Sequence, residues 1–123
     1  MILIGDKLVP FEEVFNISSI DEIYKTKANS LISFGYNEEI LKYTFKNNLN
    51  SAIVVASIKE AIYANALNAK YIIASKNLAK QIQKVAENYM FDSKVLAIIT
   101  SNNELEEIAS FEIDGVIYKS ILD

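Results

Sequence analysis

The chain of 123 residues contains no cysteine, no histidine, no tryptophan and no arginine, so all twelve basic residues are lysine. Without cysteine there is no disulfide framework, no thiolate nucleophile and no Cys-based zinc or iron–sulfur site. Without histidine the commonest general base and the commonest transition-metal ligand are both missing. Without arginine there is no rigid bidentate fork for phosphate, carboxylate or guanine. Glycine and proline are scarce, at three and one, which leaves no flexible linker and no low-complexity segment. The glycines stand apart at 5, 35 and 115. Nucleotide loops of the GxGxxG and GxxxxGK[ST] types need clustered glycines at a helix start, and neither pattern occurs. No apolar stretch approaches the ~20 residues that span a bilayer. Met1–Pro10 carries Asp6 and Lys7 within a short apolar segment, unlike the basic start and longer apolar run of a secretory signal. A cytoplasmic protein away from membranes is expected.

What is present is a core. Hydrophobic residues make up 51% of the chain, enough for one globular domain of ordinary size. The formal charge of −4 and pI near 4.9 argue against nucleic acid, whose phosphates need a basic face. Twelve asparagines accompany abundant lysine and isoleucine, a bias that fits AT-rich codon usage.

From residue 30 onward, a short apolar run, a polar break and an amphipathic segment recur about every twenty residues. The runs are Leu31–Phe34, Ala52–Ala56, Tyr71–Ala74, Val95–Ile99 and Val116–Tyr118. They are β-branched and do not alternate, as strands covered on both faces read. Helical segments are predicted at roughly 38–48, 58–67, 76–91 and 102–110, the third with a core stripe of Leu78, Ile82, Val85 and Tyr89. Ser19, Ser57 and Ser101 each precede a Glu by three residues, and Asn37 precedes Glu38 and Glu39; these read as helix caps. Asn68 and Gly115 read as left-handed terminators. Strands alternating with helices imply right-handed crossovers and a mostly parallel sheet.

The first twenty-nine residues break this rhythm and read as a β-rich addition to the repeated units of 30–123. Ile2–Ile4 and Lys7–Val9 flank Gly5-Asp6, the pattern of a tight hairpin. Pro10 ends the second strand or puts it at an edge. Glu13–Ile17 reads as extended, and Ser19–Lys25 as a short helix.

Ligands of open parallel sheets bind beyond the carboxyl ends of the strands. There the sequence places Ser33, Gly35, Tyr36, Ser57, Lys59, Ser75, Lys76, Thr100, Ser101 and Lys119. Lys59, Lys76 and Lys119, with Ser33 and Tyr36, are the candidate residues for a small anionic ligand, phosphorylated or carboxylate. The competing reading makes the serines caps and the lysines solvated. For acid–base chemistry only Asp6, Glu12, Glu13 and Asp114 come into question, and the adjacent Glu12 and Glu13 would point to opposite faces of a strand. Asp114-Gly115 reads as the turn into the last strand. No spaced calcium-type loop appears, and no metal, catalytic residue or cofactor is implied. Lys76, Lys80 and Lys84 share one helical face, either a dock for an acidic partner or a solvated row.

Two segments carry a resemblance. Glu60–Ile73, a helix of small residues followed by a small-residue turn and an apolar strand, resembles a βα unit of the phosphate-binding TIM barrels of the keto-deoxy-phosphogluconate aldolase type. Ile113–Leu122, with Asp114-Gly115-Val116-Ile117, is similar to their strand near the phosphate end. The resemblance implies a βα repeat and says little about activity. The chain departs from that pattern at Lys119, where a glycine is expected. It also lacks a strand lysine for a Schiff base, since Val54, Ile72 and Leu96 hold the strand centres. A whole barrel needs about 200 residues or more.

The expected fold is therefore a single α/β domain, three-layered, with about five mostly parallel strands and an open flavodoxin-like sheet; the alternative is half a TIM barrel that completes itself by dimerising. Two functions are expected in competition. One is a non-catalytic module that self-associates, most simply as a homodimer, or binds a protein partner. The other is a binder of a small anionic ligand at the strand ends, with lyase-like activity. Apolar strand edges favour the homodimer.

Overall fold

The computed structural model describes residues 1–123. Seven strands and six helices follow in order: β1 (Ile2–Ile4), β2 (Val14–Asn16), α1 (Ile20–Ile23), β3 (Leu31–Gly35), α2 (Glu38–Lys46), β4 (Ser51–Val54), α3 (Ile58–Ala66), β5 (Tyr71–Ala74), α4 (Lys76–Asn88), β6 (Lys94–Ile99), α5 (Leu105–Ser110), β7 (Gly115–Tyr118) and α6 (Lys119–Leu122), with a 3-10 turn at Asn102–Glu104 before α5. All seven strands join one sheet in the order β1-β7-β6-β5-β4-β3-β2, and every pairing is parallel. Strands β2 to β7 thus lie side by side in chain order, and β1 sits beyond β7.

The half-barrel is the arrangement the chain adopts. In a doubly wound sheet the strand order reverses and helices cover both faces. Here the order runs one way, so successive right-handed crossovers put every helix on the same side. The side chains divide accordingly. Ile32, Phe34, Ile53, Val55, Ile72, Ala74, Val95, Ala97, Ile99 and Val116 pack with Ile23, Ile40, Leu41, Ala61, Ala64, Ala79, Ile82, Ala86 and Ile108 of the helices. The alternate strand residues form a second cluster, Ile4, Leu31, Ala52, Tyr71, Ile73, Leu96 and Ile117, with no helix among its fully buried members. That second cluster fills the concave face.

The sheet must be curled for this to hold. Asn16 Nδ2, at the β2 edge, donates a 2.7 Å hydrogen bond to the Ile121 carbonyl just after β7. In a flat sheet β2 and β7 would lie about 24 Å apart at the usual strand spacing. Ile121 and Leu122 of α6 pack on the concave cluster, and Ile121 also touches the end of β1, where a Cβ on Gly5 would stand 2.5 Å from its Cγ1. The little helix α6 therefore covers the carboxyl mouth of the half-barrel and links its two edges.

The first thirty residues belong to this sheet. No hairpin forms at Gly5-Asp6: β1 pairs with β7, and Lys7–Val9 is not a strand. The hydrophobic pattern of two short strands cannot say which partner each will take, and the vacant edges of β7 and β3 offer more ladder than they offer each other. Gly115 is no helix terminator either. It lies within β7, where a Cβ would come 2.5 Å from the Ile2 carbonyl oxygen and 2.9 Å from Leu96 Cδ2.

Helix ends are built alike. Asn48, Asn68, Met90 and Glu112 have positive φ of 53°, 63°, 51° and 58°, respectively. After them the amides of Leu49, Ala69, Phe91 and Ile113 reach back to the carbonyls of Thr44, Ala64, Ala86 and Ile108. This is the Schellman closure, with its apolar residue just past the turn. The core stripe of α4 is Ala79, Ile82, Gln83 and Ala86 rather than the one the spacing predicted. Leu78 and Val85 flank it half-buried, and Tyr89, at the helix cap, is exposed.

Candidate functional site

At the carboxyl ends of the strands, the polar groups are largely engaged with one another. Ser57 Oγ accepts from the Glu60 amide at 3.1 Å, and the Glu60 carboxylate accepts from the Ala56 amide at 2.8 Å. Ser101 caps the next turn in a complete capping box. Its partner Glu104 also accepts from the Thr100 amide at 2.7 Å and the Thr100 hydroxyl at 3.1 Å. Ser19 makes no side-chain cap; Glu22 turns instead to the Ser18 amide at 2.8 Å. The capping box the spacing predicted at Ser19 does not form.

Lys76, at the start of α4, lies 2.8 Å from Glu104 and 2.7 Å from Glu107. These two bonds raise its pKa, and the Lys76 bond, followed by the Thr100 amide, holds Glu104 down at about 2. Lys59 and Lys119 are exposed, each at a helix start on a different unit. Ser33 is buried on the concave face, and its hydroxyl donates to Asn16 Oδ1. Tyr36 is half-buried, its pKa raised by burial and by the negative charges of Glu38 and Glu60. Of the five candidate residues, Lys76 and Ser33 are thus held by other side chains of the same chain, and Lys59, Lys119 and Tyr36 stand at the ends of different strands.

A cleft of about 410 Å³ opens beside α6 where β1, β6 and β7 end, lined by Gly5–Leu8, Thr100–Asn102, Tyr118 and Ser120. The Tyr118 hydroxyl donates to Asp6 Oδ2 at 2.6 Å, and the Leu8 amide donates to Asp6 Oδ1 at 2.8 Å. Both bonds favour the carboxylate, the tyrosine more, and Asp6 is lowered below its ordinary pKa while Tyr118 is raised to about 12. The pair is 112 positions apart in sequence, so no local signal announces it.

A second network lies at the amino ends. Glu12 receives Lys70 Nζ at 2.9 Å and the Tyr71 hydroxyl at 3.3 Å, and Glu13 points away to Lys27 at 3.6 Å. The two glutamates do diverge. Asp114 holds the turn before β7: its carboxylate accepts from the Val95 amide at 2.9 Å and its own amide donates to Gln83 at 3.0 Å. No group of three His, Cys, Asp or Glu side chains is placed to hold a metal ion, and no helix is long and apolar enough to cross a membrane. Lys80 of the basic row on α4 lies over the Phe111 ring, 4.3 Å from its centroid.

No protein-family model matches the chain, and no curated protein matches it.

Proposed function

We propose that this protein is a non-catalytic module whose work is to associate with a second copy of itself. The observation that carries the reading is the state of the sheet edges. Strands β1 and β2 are each hydrogen-bonded on one side only, so each leaves a row of unpaired backbone groups along a short run of apolar residues, Ile2 to Ile4 and Val14 with Phe15. Unpaired apolar edges are normally paired, charged or covered, and a two-fold dimer is the usual way a single chain covers them. The mouth of the half-barrel supports the same reading from the other side. The Ser57 and Ser101 hydroxyls there serve as helix caps, Lys76 is neutralised by two glutamates, and α6 lies across it. Light scattering at micromolar concentration tests the proposal. The mass of two chains is expected; the mass of one chain, unchanged on tenfold concentration, overturns it.

One feature favours a second reading, a small anionic ligand bound with Lys7, Asn102 and Ser120 in the cleft beside α6, none of whose side chains has a partner within the chain. Lyase-like chemistry would need a general base there, and Asp6 is the carboxylate at hand. A thermal-shift screen against phosphorylated metabolites separates the two readings, since a ligand at a hundred times its Kd adds about 2.7 kcal/mol of stability.

A further inference from the structure

We infer that the groove between α4 and the turn from α5 into β7 binds a free amino acid, recognised through both charges of its zwitterionic head. The groove measures about 430 Å³, with Lys80, Gln83, Lys84 and Glu87 of α4 on one wall and Phe111 and Glu112 of the turn on the other. That volume lies at the lower end of small-molecule clefts. Neither edge strand lines it, and neither does α6, so the site stands apart from the self-association proposed above. Gln83 is the residue that points to a ligand. It is only 5% exposed and belongs to the stripe that α4 turns to the core. A buried amide is costly unless its polar atoms find partners. Its Oε1 accepts from the Asp114 amide at 3.0 Å, which settles the orientation of the group, because only the oxygen can meet a backbone N–H. The Nε2 group on the other side donates to no atom of the chain and opens on the groove.

The charges around that amide define the ligand. Lys80 rests over the Phe111 ring, and neither it nor Lys84 has a carboxylate partner, unlike Lys76 one turn earlier. Glu87 and Glu112 in turn pair with no lysine. Two unpaired ammonium groups and an amide donor suit a carboxylate. Two unpaired carboxylates on the same groove suit an ammonium. A phosphate or a dicarboxylate would be repelled by the glutamates, and a metal ion or a polyamine by the lysines. A molecule carrying one carboxylate and one ammonium satisfies all five groups. Glu112 also keeps its place at a positive φ of 58°, and strain of this kind persists where a residue serves a site.

Gln81 and Gln83 are the only glutamines, so the side-chain amide of Gln83 is readily followed in nitrogen-15 spectra. Each common amino acid is added singly at millimolar concentration, followed by the N-acetyl derivative and the carboxamide of any that binds. At least one amino acid should move the Gln83 amide signals saturably, and loss of either charge should weaken it by about tenfold or more. Gln83→Glu keeps the oxygen that the Asp114 amide needs and replaces the donor with a second acceptor, so it should abolish the binding. Lys84→Met, at an exposed position, should weaken it about tenfold. Glu112→Gly relieves the strained backbone and should also weaken binding, a loss that misfolding does not explain if its urea midpoint is unchanged or raised. An N-acetyl derivative that binds as well as its parent makes this a site for simple carboxylates and overturns the zwitterion. No saturable shift with any amino acid, or binding that survives Gln83→Glu, overturns the site itself. Neither result touches the self-association, which light scattering reads separately.

Discussion

Met90 and Glu112 occupy backbone positions that suit neither of them. Both have positive φ, 51° and 58°, where a side chain crowds its own backbone at a cost of about 1–2 kcal/mol. Asn48 and Asn68 fill the same role in α2 and α3 more easily, because asparagine tolerates the left-handed region. Met90→Gly and Glu112→Gly should each stabilise the fold by roughly 0.5–1 kcal/mol, the strain relieved less the added freedom of the unfolded chain. Asn68→Gly should change little. Urea midpoints at constant slope check this, and an unchanged or lower midpoint for Met90→Gly, whose side chain is 85% exposed, would show the strain to be absent. Sequence reasoning could find Asn68 but not Met90 or Glu112, since neither residue type signals a left-handed turn. Gly115 misled for the complementary reason: the approach of Ile2 demands a glycine there, and that neighbour lies at the far end of the chain.

Among the elements, the bond from Lys76 of α4 to Glu104 before α5 joins two consecutive units at their capped ends. Glu104 has a folded pKa of about 2 against an ordinary 4.5. A lowered carboxylate stabilises the fold while it is ionised in both states, so its contribution is complete above pH ~4.5 and is lost as pH falls toward 2. The midpoint of thermal unfolding should therefore drop through that window. Glu104→Gln should flatten the drop and lower stability at neutral pH; an acid limb identical to that of the native chain would remove Glu104 from the explanation. The helix starts at Ser57 and at Ser101, the second of which this network stabilises, were legible from the spacing of serine and glutamate alone. So were the five apolar strands from residue 31 onward, because runs buried on both faces need no alternation. The two short strands near the amino terminus read as β but not as parallel, and the curl was not legible at all. Apolar content on both faces of a strand looks the same whether helices or other strands cover the second face.

On the scale of the whole molecule, stability depends on how the concave cluster is covered. Ile121 and Leu122 pack over it from α6, and Asn16 fastens that helix to the opposite edge. A chain ending at Tyr118 should lose roughly 2–3 kcal/mol, about half the full transfer value of two such half-buried side chains. It should also bind a hydrophobic dye that the full chain does not, and unchanged dye fluorescence with unchanged stability would mean that α6 covers nothing. Asn16→Ala should act in the same direction, by about 2 kcal/mol, since it removes the bond to the Ile121 carbonyl and leaves the buried Ser33 hydroxyl without its acceptor.

The seat of β1 has a consequence for the order of assembly during synthesis. Units β2 through β6 meet their neighbours as soon as each is made, since the sheet follows chain order. β1 is made well before its partner and cannot pair until Gly115–Tyr118 has left the ribosome, a wait on the order of ten seconds at ordinary elongation rates. During that interval β1 is an apolar strand with no ladder on either side, while the sheet from β2 to β6 is already growing beside it. The β7 slot is therefore the last place in the sheet to close, and the chain's longest-range pairing is the one that waits on synthesis.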